Sequence, residues 1–412
     1  MTEPNKSSDN FSSTSTLLAQ HELLQEKSFI KQLQLTDWIF AAAIITIAVL
    51  VQIKIPHHMD IYEIAILWTS ALAAIGLGWF FKPMRWFITG SIVVAYIAVG
   101  LYAGNIDNGN ENTGKFLLKY LLSSQSAIMW QAALTLFAFI TYALGTLVAW
   151  RNETKLPEQL KTPKNTLLSI ASNLAWAAAF AGFVGLLVRW HESYLLRPDA
   201  GHIPVSNLYE VFILFMVITG LMYLYYERKF TMHKLGIFVY ALMCIFVGFT
   251  LWYSISRGAH EIQPLIPALQ SWWMKIHVPA NFIGYGAFCM AAAFGVAELL
   301  ALHGNQFLPK AEQIEEAMYK AIAVGFLFFT IATILGAFWA ADAWGRYWSW
   351  DPKETWAFIV WLNYAIWLHM RLVAGWRGKI LAWWAVVGLL ITAFAFIGVN
   401  MFLTGLHSYG SL

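Results

Sequence analysis

The sequence predicts an all-α polytopic membrane protein of about eleven transmembrane helices, with a cytoplasmic N-terminus and an external C-terminus. The first reason is composition. The 412 residues are 59% hydrophobic and only 12% charged, with a mean hydropathy of +0.58, whereas soluble domains carry about 25% charged residues. The second is that the apolar residues fall in runs long enough to cross a bilayer, which takes about 20 residues each, so little is left for a large aqueous catalytic domain. The third is the placement of positive charge. Lys and Arg total 17 in the N-terminal tail and alternate loops, against 9 in the other connections. Positive residues accumulate on the cytoplasmic side, so this asymmetry orients the chain. With 26 basic and 23 acidic residues the net charge is +3, too balanced to point to a nucleic-acid partner. Cys244 and Cys289 sit alone inside apolar runs, which excludes a disulfide framework, a CxxC redox pair or a thiolate metal cluster.

Residues 1–36 read as a polar tail at the cytoplasmic interface. They lack the charged start, short apolar core and small-residue site of a removable signal peptide. Leu17, Leu18, Leu23, Leu24, Phe29, Ile30 and Leu33 recur at helical spacing, the pattern of an amphipathic surface helix or, equally, of a disordered tail. Spans follow at roughly 38–54, 62–81, 86–104, 126–150, 167–188, 206–226, 234–252, 278–302, 317–340, 354–372 and 380–402, each long enough to cross. The hydrophilic stretch from Arg151 to Asn165 divides them. Residues 37–150 form an N-terminal set of about four helices, and 165–412 form the core.

The densest chemical anomaly is WGRYWSWDPKETW, Trp344 to Trp356, with Trp339 just before it. An interfacial aromatic belt explains scattered tryptophans. Five in 18 residues, interrupted by Gly345, Arg346, Ser349 and Asp351, suit a folded platform for a large planar ligand equally well. Asp351, Pro352 and Glu354 also spell a helix start: acid at the cap, proline first, glutamate third. Asn207 and Glu210 read as a second capping box, with His202 a secondary pocket residue.

Two histidines bracket the platform. His277 opens the eighth span and His407 lies just beyond the eleventh, so both belong to the outer depth. A histidine at a helix end ordinarily just seeks water. Two of them flanking one aromatic surface form the arrangement a haem iron needs, an imidazole nitrogen on each face. His369 lies about 15 residues into the tenth span, roughly 22 Å deeper at 1.5 Å per residue. It is either a side chain reaching towards the inner headgroups or a second station, whose other ligand must come from another chain. Arg346, Lys353, Arg257 and Lys275 are outer cations suited to haem propionates, and nothing in the sequence chooses among them.

The segments WGRYWSWDPKETW, HVPANFIGYG, GLHSYG and RWHESYLLRPDAGHIPVSNLYE occur in that family's arrangement, and from about residue 126 onward the chain resembles the CcsA/ResC family of cytochrome c assembly proteins. The resemblance implies cytochrome c-type biogenesis in the bacterial inner (plasma) membrane. With a CcsB/ResB-type membrane partner, members bring haem b across the bilayer and present it for thioether attachment to the CxxCH motif of apocytochrome c, as the haem-handling subunit of a cytochrome c synthase (haem lyase) complex. It also implies a haem-binding tryptophan platform, the WWD domain, comprising Trp344, Gly345, Arg346, Tyr347, Trp348, Trp350 and Asp351. His277 and His407 would be its external iron ligands and His369 the buried one, with the partner supplying the other buried histidine. The first 125 residues match nothing in it. Three rivals remain: a haem exporter or chaperone without attachment activity, a dihaem quinone oxidoreductase subunit, and a solute transporter with an ordinary aromatic belt.

Overall fold

The computed structural model describes residues 29–54, 59–108, 116–155, 166–196, 201–304 and 307–406, and these are helical or connecting throughout. Eleven helices appear in order: α1 Leu35–Lys54, α2 Ile61–Phe80, α3 Pro83–Asn108, α4 Ser124–Lys155, α5 Thr166–Leu196, α6 Leu208–Phe230, α7 Gly236–Arg257, α8 Trp273–Leu302, α9 Ala311–Trp344, α10 Pro352–Leu372 and α11 Lys379–Phe402. Ten of them are long and apolar enough to cross a membrane. The exception is α10, whose 21 residues include Lys353, Glu354, His369 and Arg371. Every expected span is thus a helix. The amphipathic pattern at Leu17 to Leu24 lies outside the described residues, as does His407.

The chain gathers into two compact units that divide between Ile88 and Thr89. In the first, α1 packs on α2, and the Arg85 guanidinium pairs with the buried Asp37 carboxylate. Trp79 Nε1 donates to Asp37 O at 3.1 Å. A charge at this depth persists because it is paired and hydrogen-bonded.

In the second unit α8 is the central helix, packed against α6, α7, α9 and α11. Its middle is a run of small residues, Ala287, Ala291, Ala292, Ala293, Gly295 and Ala297, all buried. Small side chains let helix backbones approach closely where lipid supplies no hydrophobic drive between helices. Phe288 stacks on Tyr364 of α10 with centroids 3.5 Å apart, and Trp367 Nε1 donates to Leu381 O at 3.0 Å. These contacts dock α10 against the central helix and the turn into α11. Cys289 is buried and Cys244 half-buried, and both are free thiols.

One irregularity matters for the site. Within α11, residues Phe394–Gly398 form a π turn in which Val399 N–H bonds to Phe394 O. The one-residue expansion frees carbonyl groups for side-chain donors, and such turns recur at functional sites. Here Phe396 O accepts from Asn400 Nδ2 at 2.7 Å.

Candidate functional site

The N-termini of α6, α8 and α10 and the C-termini of α5, α7, α9 and α11 come to one end of the second unit. Between them lies a cavity of about 530 Å³, within the size range of pockets that take cofactor-sized ligands. Its lining joins the segments that stood out in the sequence: His277, Trp339, Trp344, Tyr347, Trp348 and Lys353 all border it. Among the described residues His277 is the one imidazole in the lining.

The geometry of His277 is specific. Its Nδ1 lies 2.8 Å from Ala332 O. A ring nitrogen facing a carbonyl oxygen must carry the proton, so in the neutral ring Nε2 holds the lone pair. A hydrogen bond from the second ring nitrogen is the usual way a protein orients an imidazole for a metal. Trp339 packs edge-on against the ring with centroids 5.6 Å apart. On the other helix Gly336 makes room: a Cβ there would stand 2.9 Å from His277 Cε1 and 3.2 Å from Nδ1. Gly336→Val is therefore expected to push the imidazole off its Ala332 anchor. Its signature is a changed absorption spectrum for any metal complex formed at His277, with the helical circular dichroism unchanged. An unaltered spectrum would refute this account of ring placement.

The tryptophan segment is shaped by its helix signals. Gly345, at φ +73°, ends α9, and its N–H bonds to Ala341 O; glycine adopts this left-handed conformation without strain. The expected capping box at the start of α10 is formed in full, with Asp351 capping and Glu354 returning to the Asp351 backbone. Glu354 Oε2 also accepts Ser349 N–H at 2.7 Å. Between these two anchors Trp350 is held at φ +60°, a conformation that costs a non-glycine residue on the order of 1 kcal/mol. Asp351 does more than cap: its Oδ1 accepts Leu406 N–H at 2.7 Å. The carboxylate thus pins the last described residue of the C-terminal segment to the start of α10.

The site candidates separate as follows. His277, Trp344, Tyr347 and Trp348 share the cavity. Gly345, Arg346, Trp350 and Asp351 lie beside it as the frame of the segment and are absent from its lining; Trp350 is exposed and packs edge-on against Trp348 with centroids 5.9 Å apart. His369 is exposed on α10 towards its far end. His202 is buried outside the lining, with Nε2 3.2 Å from Ser206 Oγ.

The second capping box is corrected. Asn207 does cap α6, accepting Glu210 N–H at 2.9 Å, but the Glu210 carboxylate is drawn elsewhere. Its Oε1 pairs with Arg189 Nε at 2.7 Å, both side chains fully buried. Its Oε2 accepts from Ser206 N and Oγ at 2.8 and 2.7 Å. Arg189 Nη1 in turn donates to His260 O at 2.8 Å. This clasp joins α5, α6 and the loop after α7, and Ser206 and Glu261 of the joined segments line the cavity. The ion pair outcompetes the local cap because an unpaired guanidinium at this depth would be far costlier than an unmade cap. Sequence reasoning assigned Arg189 no role; it stands just past the expected end of the fifth span, where it reads as an ordinary loop cation.

Residues 205–407 match the family described as Cytochrome C assembly protein. The Cytochrome c biogenesis protein CcsA of Synechococcus sp. (strain RCC307) is 34% identical over 310 residues, covering 67% of this chain and 94% of the relative. That of Chlamydomonas reinhardtii is 38% identical over 233 residues, covering 55% of this chain and 64% of the relative. A solved structure described as Cytochrome c Heme Lyase CcmF aligns with 71% of this chain and 51% of its own at a TM-score of 0.49 and 18% identity. With ten helices among the described residues apolar enough to cross a bilayer and its match along nearly the whole of a curated relative, the chain is a multi-pass membrane protein of the CcsA family of cytochrome c biogenesis proteins.

Proposed function

We propose that the cavity holds haem b, the substrate, and presents it to the CxxCH segment of apocytochrome c. In this reading Nε2 of His277 binds one face of the iron and His407 the other, while Trp339, Trp344 and Trp348 cover part of the macrocycle. The observation that carries it is the placement of His277, a ring anchored through Nδ1 to Ala332 O, in a tryptophan-walled cavity of about 530 Å³. The tie from Asp351 to Leu406 supports the second ligand, since it fixes the chain, one residue before His407, to the start of α10, whose Lys353 and Glu354 line the cavity. Positive-inside counting puts this end outside the cell membrane, in bacteria the inner membrane.

The chain's contribution is positioning. Holding the iron from both faces leaves the vinyl groups to be approached edge-on, where two cysteine thiols of the apocytochrome add. Each sulfur bonds one vinyl carbon and each thiol hydrogen goes to the other, so no oxidant is consumed. The apocytochrome histidine then displaces one imidazole of this chain. Alignment of reacting groups accounts for the acceleration such a site needs. His369, exposed on α10, would hold haem on its way from the inner leaflet together with a histidine of a CcsB/ResB-type partner, because a lone imidazole on an outer helix face is completed from outside the chain.

The test is the absorption spectrum of the chain purified in detergent. The wild type should carry a Soret band of six-coordinate, low-spin haem. His277→Ala should lose most of it and regain it with added imidazole, while His369→Ala should keep the outer-site spectrum. Equal haem content and spectrum in wild type and His277→Ala would end this reading.

A further inference from the structure

Four charged side chains border the cavity: Arg257, Glu261, Lys353 and Glu354. Arg257 and Glu261 are exposed at its rim, where water screens them. Glu354 is committed to Ser349 and the Asp351 backbone. Lys353 is different. It is half-buried, and its Nζ meets only neutral acceptors, Asn400 Oδ1 at 3.0 Å and Phe396 O at 3.5 Å. It also stands 5.6 Å from the centroid of the Phe396 ring. Among the described residues no carboxylate lies within ion-pair distance of it. An ammonium drawn into partial burial with no carboxylate bonded to it is costly, the Asp351 charge acting on it only through space, and a third N–H remains after these two acceptors. The sequence offered four outer cations on equal terms. In the structure Arg346 and Lys275 are absent from the lining and Arg257 is solvated, which leaves Lys353.

We infer that Lys353 is the carboxylate-recognition residue of this cavity: its ammonium binds a propionate of the porphyrin whose iron is held by His277. The inference rests on the haem reading above and sharpens it, since it makes the cavity select a porphyrin bearing free carboxylates and sets the macrocycle's rotation about the iron. The rotation matters because it decides which edge, propionate or vinyl, turns towards the open side. The π turn of α11 and the start of α10 build the receptor together, since the turn places Phe396 O and Asn400 against the ammonium.

The experiment titrates the purified full-length chain in detergent with haem and, separately, with haem dimethyl ester, which has the same iron and vinyl groups but no free carboxylates. The wild type should bind haem about tenfold to a hundredfold more tightly than the diester, the discrimination expected of one charge-assisted hydrogen bond. Lys353→Gln should bind haem and diester equally, at the wild type's diester affinity, and with an unchanged Soret position because His277 still ligates. Lys353→Arg, which keeps a carboxylate-binding cation, should restore the preference and serves as the folding control. Equal affinity of the wild type for both porphyrins, or retained discrimination in Lys353→Gln, overturns the inference while leaving the iron site standing. Absence of any Soret band in the wild type overturns the haem reading itself, and this one with it.

Discussion

Arg189→Ala should lower stability by about 3–5 kcal/mol, the usual consequence of removing one partner from a buried pair. The Glu210 carboxylate would be left at 1% exposure with Ser206 as its remaining donor. The loss should be visible as a large fall in the thermal midpoint of the detergent-solubilised protein. Removing both charges with Arg189→Met and Glu210→Gln should recover part of it, because no unpaired charge then remains. Recovery stays incomplete because the guanidinium also holds His260 O and Glu261 O. A double variant as unstable as the single one would show that the charge pair is not the source. Since Ser206 and Glu261 border the cavity, the single variant should also retain less haem per folded molecule. The clasp thereby links stability to the binding site.

The second large effect is at the opposite end. Arg371 bonds the Glu315 carboxylate and, at 3.0 Å, Glu316 Oε2, with its guanidinium 4.7 Å from the Tyr319 ring centroid. Glu315 Oε2 also accepts Gly378 N–H at 2.9 Å, and Arg377 Nη1 donates to Arg371 O at 2.8 Å. One forked cation thus ties α9, the end of α10 and the turn into α11. Removal of Arg371 leaves the buried Glu315 carboxylate with only the longer pair to the exposed Arg377, whose Nε lies 3.4 Å from Glu315 Oε1. Arg371→Ala should cost about 3–5 kcal/mol, and Arg371→Lys should recover little, because an ammonium cannot bridge two carboxylates in one plane. The folded fraction should keep unaltered the spectrum of the haem site proposed at His277, at the other end of the helices. A shifted spectrum in folded Arg371→Ala would show that the two ends are coupled.

Much of this was legible in the sequence because the lipid environment is so demanding. Backbone groups in hydrocarbon must bond within their own segment, so apolar runs of span length become helices, and each of the eleven did. The start of α10 was equally legible, since Asp351, Pro352 and Glu354 act over three residues, and the distant Leu406 N–H takes Asp351 Oδ1 while Oδ2 stays with the cap. Asn207 and Glu210 carry similar cap chemistry, and there the local reading failed. Arg189, 21 residues upstream, lies within 2.7 Å of the carboxylate once α5 and α6 are packed, and no spacing rule encodes that.

The sequence by itself determined that this chain is a bundle of membrane-crossing helices with a tryptophan-rich segment between two of them, and where α10 begins. Those properties depend on hydrophobicity and on interactions a few residues apart. Only the tertiary structure decided which members of the tryptophan segment face the cavity, which His277 nitrogen is anchored, why residue 336 is glycine, and which of four cations is half-buried in the cavity wall. Each depends on groups 40 to 70 positions apart, such as His277 with Ala332 and Lys353 with Asn400. Their juxtaposition is set by how α8, α9, α10 and α11 pack, and packing is a property of the whole bundle that no single segment carries.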